Sequence, residues 1–458
     1  MKTLKFSKVL ILLLFLVISI FTVGCKKTNN NEEDPDDKKP PIDEKIDVDK
    51  FTSPNIKIHE TENDPNFLDG KKYEYTGKWA TEEFDPINLD YIYAGLYNPD
   101  GTEFLMPTEN KRTGQRIFVT DFGGKANDPD FDNTEAVKNA IKSASYGDEI
   151  FFTAGKYYFQ KSVVAKPIMA HISVPSGVNI TGAGIDKTFL VSKFSEYENT
   201  NSQTTTIGII GEENITISAL TITAEVPEDK MPQPDPITGK ITSGQNNPIG
   251  NRYAPKFGIK ALNNDINLIT QNIVVKNVKV EYFQVSGVDF TNTIASTVKD
   301  SIIENATDLG PGGRGYGVTI QGLANKAFHT VGTNLGSRYN VVTNVEVNGP
   351  YIRHGIILSY VTHNNLIYNN RVNSTANQSI DLHGEDEFLN VVTKNTIKDG
   401  ANSGIGLGNS GSSHAETGPA NIIYDNLIDN YTVGVQVILN TPDTVIIKNN
   451  IKNIREGG

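Results

Sequence analysis

The second half of the chain repeats one pattern of apolar and polar positions. Each repeat has a glycine, an aliphatic residue, any residue and a second aliphatic residue, followed further on by an asparagine and another aliphatic run. The aliphatic residues after the glycine, which Ser379 replaces in one repeat, recur at steps of 24 to 38 residues. They are Ile259, Val288, Val318, Ile356, Ile380, Ile405 and Val435. A repeat of roughly 20–50 residues is typical of a solenoid, and such alternation predicts strands. We therefore predict an all-β fold, a right-handed single-stranded parallel β-helix whose stacked coils share one core.

A column of asparagines supports this register. Asparagine tolerates the left-handed backbone of a sharp corner, and stacked amides form hydrogen-bonded ladders. The asparagines that separate two apolar fragments of a coil are Asn277, Asn344, Asn370, Asn395, Asn426 and Asn450. We expect these residues to form the corners and to stack on one another.

The first 24 residues are predicted to be an export signal rather than part of the fold. Lys2, Lys5 and Lys8 precede an apolar stretch that is short for a membrane span. The stretch ends in Thr-Val-Gly-Cys, which resembles a bacterial lipobox, and Cys25 is the only cysteine of the chain. We expect a lipoprotein that is exported and anchored through Cys25 to the outer face of a bacterial membrane, with no intrachain disulfide.

Composition divides the rest of the chain into three parts. Residues 25–50 are acidic and polar, which predicts a disordered tether, and residues 51–115 are aromatic and turn-rich, which predicts a small β-rich lead-in. Residues 116–458 are predicted to form the β-helix, the catalytic domain. The net charge is −12, and −15 without the three signal lysines. Nucleic acid is therefore excluded as an expected partner, and a monomer is expected.

The start of the β-helix resembles a known superfamily. Residues 119–125 (Val-Thr-Asp-Phe-Gly-Gly-Lys), 132–136 (Asp-Asn-Thr-Glu-Ala) and 148–157 resemble the opening of the pectate-lyase-like β-helix superfamily. The apolar residues at helical spacing in between, Ala136, Val137, Ala140, Ile141 and Ala144, predict an N-terminal capping helix that begins near Asn133. The resemblance covers residues 117–458. It implies the fold, but lyases, hydrolases, epimerases and phage adhesins all use this fold.

The candidate site follows from the alternation of side chains along each strand. Residues one and three after each register position should face outward, whereas parity alone places His354 toward the core. Strands lie about 4.8 Å apart, so Lys260 and Asp381, four coils apart, should be separated by about 19 Å. The reactive residues on this stripe and beside it are Lys256, Lys260, Asp289, Arg314, Tyr316, Gln321, Arg353, His354, Asp381, His383 and Glu385. Insertions at 225–256, 322–338 and 408–419 are expected to form its walls.

These residue types favour β-elimination of an acidic polysaccharide. The reaction needs a cation at the sugar carboxylate, a base for the C5 proton and an acid for the departing O4. Arg353 is assigned to the carboxylate. His383 or Lys260 is assigned as the base, and Tyr316 or His354 as the acid. The expected substrate-binding residues are Lys256, Asp289, Arg314, Gln321, Asp381 and Glu385. Whether Ca²⁺ assists is left open, as is the identity of any metal ligand.

Two alternatives remain at this stage. A glycoside hydrolase needs two positioned carboxylates, for which Asp289 and Asp381 are the candidates. The polygalacturonase-like branch of the superfamily carries an Asp-Asp pair and an Arg-x-Lys, and the repeat region has neither. The other alternative is a carbohydrate-binding adhesin without turnover. The sequence leaves the sugar open (alginate, pectate or a related uronic polymer), and also endo or exo action.

Overall fold

The fold is seen in a computed structural model of the chain. It describes residues 55–58, 73–76, 107–163, 168–263, 270–322, 336–360, 362–384, 387–409, 417–418, 420–441 and 444–455. The predicted signal, Cys25, the tether and Glu385 lie outside these residues. No helix in the described part is long and apolar enough to cross a membrane.

Each coil contributes strands to parallel stacks that run the length of the domain. One stack is a nine-stranded sheet, which we call the site sheet. Its strands are Ile168–Ser173, Gln203–Ile210, Phe257–Leu262, Ser286–Thr291, Tyr316–Gln321, His354–Ser359, Ile380–Leu382, Ser403–Leu407 and Val433–Val437. Every neighbouring pair in it is parallel.

The remaining strands of the solenoid form two further parallel stacks. The second stack contains Arg116–Phe118, Glu149–Phe151, Asn179–Thr181, Thr297–Lys299, Val341–Thr343, Leu366–Tyr368, Val391–Thr393, Ile422–Tyr424 and Val445–Ile447. The third stack contains Gly155–Phe159, Thr188–Ser192, Ile302–Ala306, Glu346–Asn348, Arg371–Asn373, Thr396–Lys398, Leu427–Asp429 and Asn450–Lys452. Two long strands, Glu213–Ala224 and Thr270–Phe283, pair in both stacks, and Thr293–Ile294 pairs with the latter. The described coils thus form the predicted right-handed parallel β-helix.

The predicted core column is confirmed. The seven register residues from Ile259 to Val435 are direct strand partners, one coil after the next. Ile259 to Ile405 are fully buried in the shared core, and Val435 is partly buried. The same column continues upstream through Ile207 and Ile172. Burial of one branched aliphatic side chain contributes about 1.5–3 kcal/mol, so the column is a main source of stability.

The glycine of the repeat faces the core, which changes the predicted side of His354. A Cβ on Gly355 would lie 2.4 Å from Cγ1 of Val372 and 2.6 Å from the carbonyl oxygen of Ser379. The same position in the other coils is equally close to a valine or isoleucine methyl of the third stack: Gly258, Gly287, Gly317, Gly404 and Gly434. Gly355 and Ile356 therefore both point inward. The alternation breaks there, and His354 lies on the outer face instead of in the core.

The asparagine column divides into two adjacent positions of the corner. Asn277 and Asn344 have the left-handed backbone, with φ of 50° and 52°. Asn370, Asn395 and Asn426 lie one position later, where each side-chain NH2 donates to the next carbonyl oxygen at 2.9 Å. That ladder ends on Asn449, so the inclusion of Asn450 was wrong by one residue. The backbone turn and the amide stack thus use different residues, and the side chain of Asn344 donates to Oδ1 of Asp300 rather than to the ladder.

A second amide ladder was not predicted. It links each side-chain NH2 to the next carbonyl oxygen at 3.0 to 3.2 Å through Asn340, Asn365, Asn390 and Asn421. All four side chains are buried, and each also donates to a backbone carbonyl. Buried amides that are satisfied in this way fix the register of the coils.

The predicted helix spans Thr134–Ser143, and a second, shorter helix spans Glu196–Asn201. The first helix places Ala136, Val137 and Ala140 in the shared core cluster. The side chain of Asp132, rather than that of Asn133, accepts from the backbone N–H of Thr134 at 3.1 Å. Of the predicted lead-in, Asn55–Ile58 and Tyr73–Thr76 form an antiparallel pair.

Candidate active site

The outer face of the site sheet carries two separate clusters of polar side chains. Lys260 and Asp289 are strand partners, and their Nζ and Oδ1 atoms lie 2.8 Å apart. Nζ also donates to Oγ1 of Thr291 at 3.2 Å and lies 4.1 Å from the ring centre of Phe257. Gln321 donates to Oδ2 of Asp289 at 3.0 Å. We call Lys260 and Asp289 the lysine pair.

The lysine pair is closed to solvent and internally neutral. The side chains of Lys260 and Asp289 are 5% and 1% exposed. A buried ion pair of this kind is strongly destabilised when one partner is removed. The contacts of Lys260, Asp289 and Gln321 therefore hold three neighbouring coils together, and they do not direct a free amine or carboxylate outward.

The second cluster lies further along the same face. His354 begins one strand of the site sheet, and Asp381 and His383 lie on the next coil. We call these three residues the histidine cluster. Oδ2 of Asp381 accepts from Nδ1 of His383 at 2.7 Å. Nδ1 of His354 lies 3.2 Å from the same oxygen, off the line of a well-formed hydrogen bond. The side chains of Asp381 and His354 are 1% exposed, and that of His383 is 13% exposed. His383 is therefore the member that can meet a ligand.

An amide sets the orientation of the His383 ring. Nδ2 of Asn409 lies 3.1 Å from Nε2 of His383. An NH2 group can only donate, so this contact, with the amide oriented as the hydrogen-bond network requires, makes Nε2 an acceptor. The ring proton is then on Nδ1, directed at Asp381. This is the arrangement of a carboxylate-oriented general base.

The charges of the cluster follow from burial and from these contacts. Burial alone would raise the pKa of Asp381. The hydrogen bonds and charge interactions with His354 and His383 outweigh burial and hold the pKa of that carboxyl well below its usual range. Burial lowers the pKa of His354, although the carboxylate of Asp381 opposes this effect. The cluster thus combines an ionised aspartate with a neutral His354.

Tyr316 adjoins the histidine cluster, nearer than its expected place further along the groove. It is the direct strand partner of His354, and the two rings meet edge to face with centroids 5.2 Å apart. The rings of His354 and His383 are 6.0 Å apart. Tyr316 is 8% exposed. The structure therefore brings together Tyr316, His354, Asp381 and His383 from three successive coils, with Lys260 outside this group.

Basic residues lie where the strands of the site sheet begin. Lys256 and Arg353 occupy equivalent positions three coils apart, about 14 Å at the usual strand spacing, and Arg314 lies between them in the chain order of the coils. Arg353 donates to Oγ of Ser243 at 3.0 Å and to the Gly310 carbonyl at 3.4 Å. The row is positive and only partly buried.

The other two members of the row differ in how they are compensated. Arg314 forms an ion pair with Asp308, whose side chain is fully buried. Lys256 donates to the Thr200 carbonyl at 3.4 Å. Burial lowers the pKa of Lys256, and the positive charge of Arg314 lowers it further. Lys256 is thus a cation beside another cation, which an anionic ligand would stabilise.

The insertions are only partly described. Within 225–256, Ser243 contacts Arg353, so this insertion lies against the strand starts of the site sheet. Residues 323–335, 410–416 and 419 of the other two insertions lie outside the described residues.

The sequence reasoning missed Asn377 and Asn409, whose amides face the two histidines. Asn409 lies inside a predicted insertion, and Asn377 lies three residues before the register position of its coil. A search of that upstream position in each coil would have found Asn377.

The two aspartates are poorly placed for glycoside hydrolysis. Asp289 and Asp381 occupy the same column three coils apart, about 14 Å at the usual spacing. Paired carboxylates of glycosidases lie roughly 5–9.5 Å apart. In addition, Asp289 is already paired with Lys260. In the described part of the chain, no three His, Cys, Asp or Glu side chains converge as metal ligands would, so Ca²⁺ has no assigned ligands there.

Comparisons with known proteins show similarity at the level of architecture. No protein-family model and no curated protein match the chain. Among solved structures, the A-module of the Azotobacter vinelandii mannuronan C-5 epimerase AlgE4 is 16% identical over 72% of this chain and 77% of that chain, with a TM-score of 0.43. An alginate lyase from Paenibacillus is 14% identical over 73% and 99%, with a TM-score of 0.43. A Yersinia enterocolitica family 28 exopolygalacturonase is 11% identical over 76% and 66%, with a TM-score of 0.48. This likeness carries no argument about activity, which depends on the chain's own residues.

Proposed function

We propose that the protein is a polysaccharide lyase that cleaves a uronic-acid-containing polysaccharide by β-elimination. The observation that carries the proposal is the pairing of Asp381 with His383, which leaves Nε2 as an acceptor on the most exposed of the three side chains of the cluster. Such an imidazole is a base suited to a carbon acid, because the carboxylate stabilises the imidazolium that forms.

The proposed step balances through side chains alone. Nε2 of His383 takes the C5 proton of the sugar, and the C5–H electron pair forms the C4–C5 double bond. The C4–O4 bond breaks, and the departing oxygen takes a proton from the hydroxyl of Tyr316. His354, which is 1% exposed, holds Asp381 in place and is therefore not assigned as the acid.

The acidic substrate is supported by the row of Lys256, Arg314 and Arg353. The C5 proton becomes removable only when the adjacent sugar carboxylate is neutralised, and cations in a partly buried cleft do this far better than in water. Arg353 directly precedes His354 in the chain and is partly exposed. It therefore stays assigned to the carboxylate of the sugar that loses its C5 proton. Lys256, whose ammonium makes one hydrogen bond among the described residues, is assigned to a neighbouring sugar.

We also propose that the enzyme acts outside the cytoplasm, held by a lipid on Cys25. The support is the sequence: a basic start, a short apolar stretch, a lipobox-like end and a polar tether. An anchored enzyme of net negative charge would meet polymer at the cell surface, where the tether keeps the β-helix away from the membrane.

The test is a panel of uronic polymers incubated with purified protein from residue 26 onward. The proposal predicts a rise in ultraviolet absorbance from the unsaturated product, lost in His383→Ala and kept in Asn373→Ala, whose side chain donates to Asn348 in the third stack. New reducing ends without the absorbance would show hydrolysis. Binding with neither signal would show an adhesin, and each of these results would contradict the proposal.

A further inference from the structure

A second asparagine side chain, that of Asn377, contacts the histidine cluster. Asn377 and Asn402 occupy, in two successive coils, the position that Arg353 has in the coil before them, and the backbone N–H of Asn377 donates to the Arg353 carbonyl at 2.9 Å. Nδ2 of Asn402 donates to Oδ1 of Asn377 at 2.9 Å. The oxygen of Asn377 is thereby used, and its NH2 group turns toward Nε2 of His354 at 3.3 Å.

This chain of contacts determines which nitrogen of His354 carries the proton. An NH2 group donates, so Nε2 of His354 must accept, and the ring proton is on Nδ1. Nδ1 lies 3.2 Å from Oδ2 of Asp381. If Asn377 were reversed, its oxygen would require a proton on Nε2. Nδ1 would then present a lone pair to the carboxylate, and the two would repel.

The tautomer of His354 affects Asp381 strongly, because that carboxylate has few other hydrogen-bond partners among the described residues. Its Oδ1 atom is buried and, within the described part of the chain, has no hydrogen-bond partner; a Cβ on Gly406 would lie 3.2 Å from it. Nδ1–H of His383 donates to this carboxylate. Nδ1–H of His354, at 3.2 Å, adds a favourable electrostatic contact to the same oxygen, and together they keep the carboxylate ionised. The other groups that face or adjoin His354 are the ring of Tyr316 and the guanidinium-bearing Arg353.

We propose that Asn377, held by Asn402, is a positioning residue that fixes the Nδ1–H tautomer of His354 and through it the Asp381–His383 pair. Its catalytic consequence rests on the proposed function. The tautomer itself does not, so the two can fail separately.

The decisive experiment is nitrogen-15 NMR of the histidine rings of the full protein, without any substrate. His354 is expected to show a protonated Nδ1 and an unprotonated Nε2. In Asn377→Asp a carboxylate faces Nε2, and the titration of His354 should move upward by about one to three pH units. Asn402→Ala should broaden or mix the tautomers. The matched control is Asn373→Asp, since Asn373 also donates to an asparagine, Asn348, but lies in the third stack.

The outcomes separate the claims. A wild-type His354 protonated on Nε2, or a titration that Asn377→Asp leaves in place, overturns the inference. If Asn377→Asp does not fold, the wild-type spectrum and Asn402→Ala still decide it. With turnover established, Asn377→Asp should lower kcat by roughly tenfold or more, with KM retained and the pH profile displaced, whereas a merely structural role would leave the profile of the folded fraction unchanged.

Discussion

The two buried aspartates of the site sheet should respond in opposite ways to the same substitution. Asp289 and Asp381 lie in one column, each 1% exposed, and each accepts from side chains of neighbouring positions. Asp289 faces the ammonium of Lys260, whereas Asp381 faces two imidazoles. Replacement by asparagine keeps the shape of the side chain and removes its charge.

For Asp289→Asn, the loss should be one of stability. Lys260 stays 5% exposed without its counter-charge, and breaking such a pair costs about 3–5 kcal/mol. For Asp381→Asn, the remaining carbonyl oxygen still accepts from Nδ1 of His383, and the new NH2 group takes the place of an oxygen that has no hydrogen-bond partner among the described residues. A charge-assisted hydrogen bond is replaced by a neutral one, a difference of about 1 kcal/mol.

The activities should show the reverse order. Asp381→Asn removes the negative charge that stabilises the imidazolium of His383, and turnover should fall roughly 10²–10⁴-fold. Asp289→Asn should retain turnover per folded molecule. Urea unfolding gives the free energies, and ultraviolet absorbance on an active polymer gives the rates. If Asp381→Asn loses as much stability as Asp289→Asn while its folded fraction keeps full turnover, the functional division of the sheet is wrong.

Three further predictions concern packing, acid stability and anchoring. Gly355→Ala should lower the free energy of unfolding by about 1–3 kcal/mol, because its Cβ would lie 2.4 Å from a Val372 methyl; an unchanged urea midpoint would contradict this. Burial lowers the pKa of His171 to about 4. As pH falls below about 6.5, the unfolded chain therefore binds a proton at this residue that the folded chain does not bind. The free energy of unfolding should drop by about 2 kcal/mol by pH 5. His171→Phe should flatten that slope. Cys25→Ala should release the protein from membranes, since each buried lipid CH₂ contributes about 0.8 kcal/mol; unchanged fractionation would refute lipid anchoring.

The core was predictable because it depends on local alternation and on a repeat. The column from Ile259 to Val435 needs only the rule that a coil cannot bury its apolar face alone. The position of His354 was not predictable by that rule, because two successive residues, Gly355 and Ile356, face the core. Glycine at that place was visible in the sequence, but its closeness to Val372 depends on packing between stacks.

Strand spacing grouped some of the candidate residues but could not show the contacts of others. His354, Asp381 and His383 were grouped from strand spacing, and they do meet. The contact of Arg353 with Ser243 comes from an insertion 110 residues earlier in the chain, which strand spacing could not show. Lys260 was expected in the same groove, where spacing could not show that Asp289 neutralises it. Pairings between distant segments decide such contacts, and a repeat register does not encode them.

The most direct test of the proposed chemistry follows the C5 hydrogen of the sugar. An active polymer is digested in heavy water, and the products are examined by proton NMR and mass spectrometry, for the wild type and for His383→Ala. The proposal predicts unsaturated C4–C5 ends in the wild type and none in His383→Ala. Cleavage that leaves saturated ends, or deuterium at C5 without cleavage, would contradict β-elimination at this site.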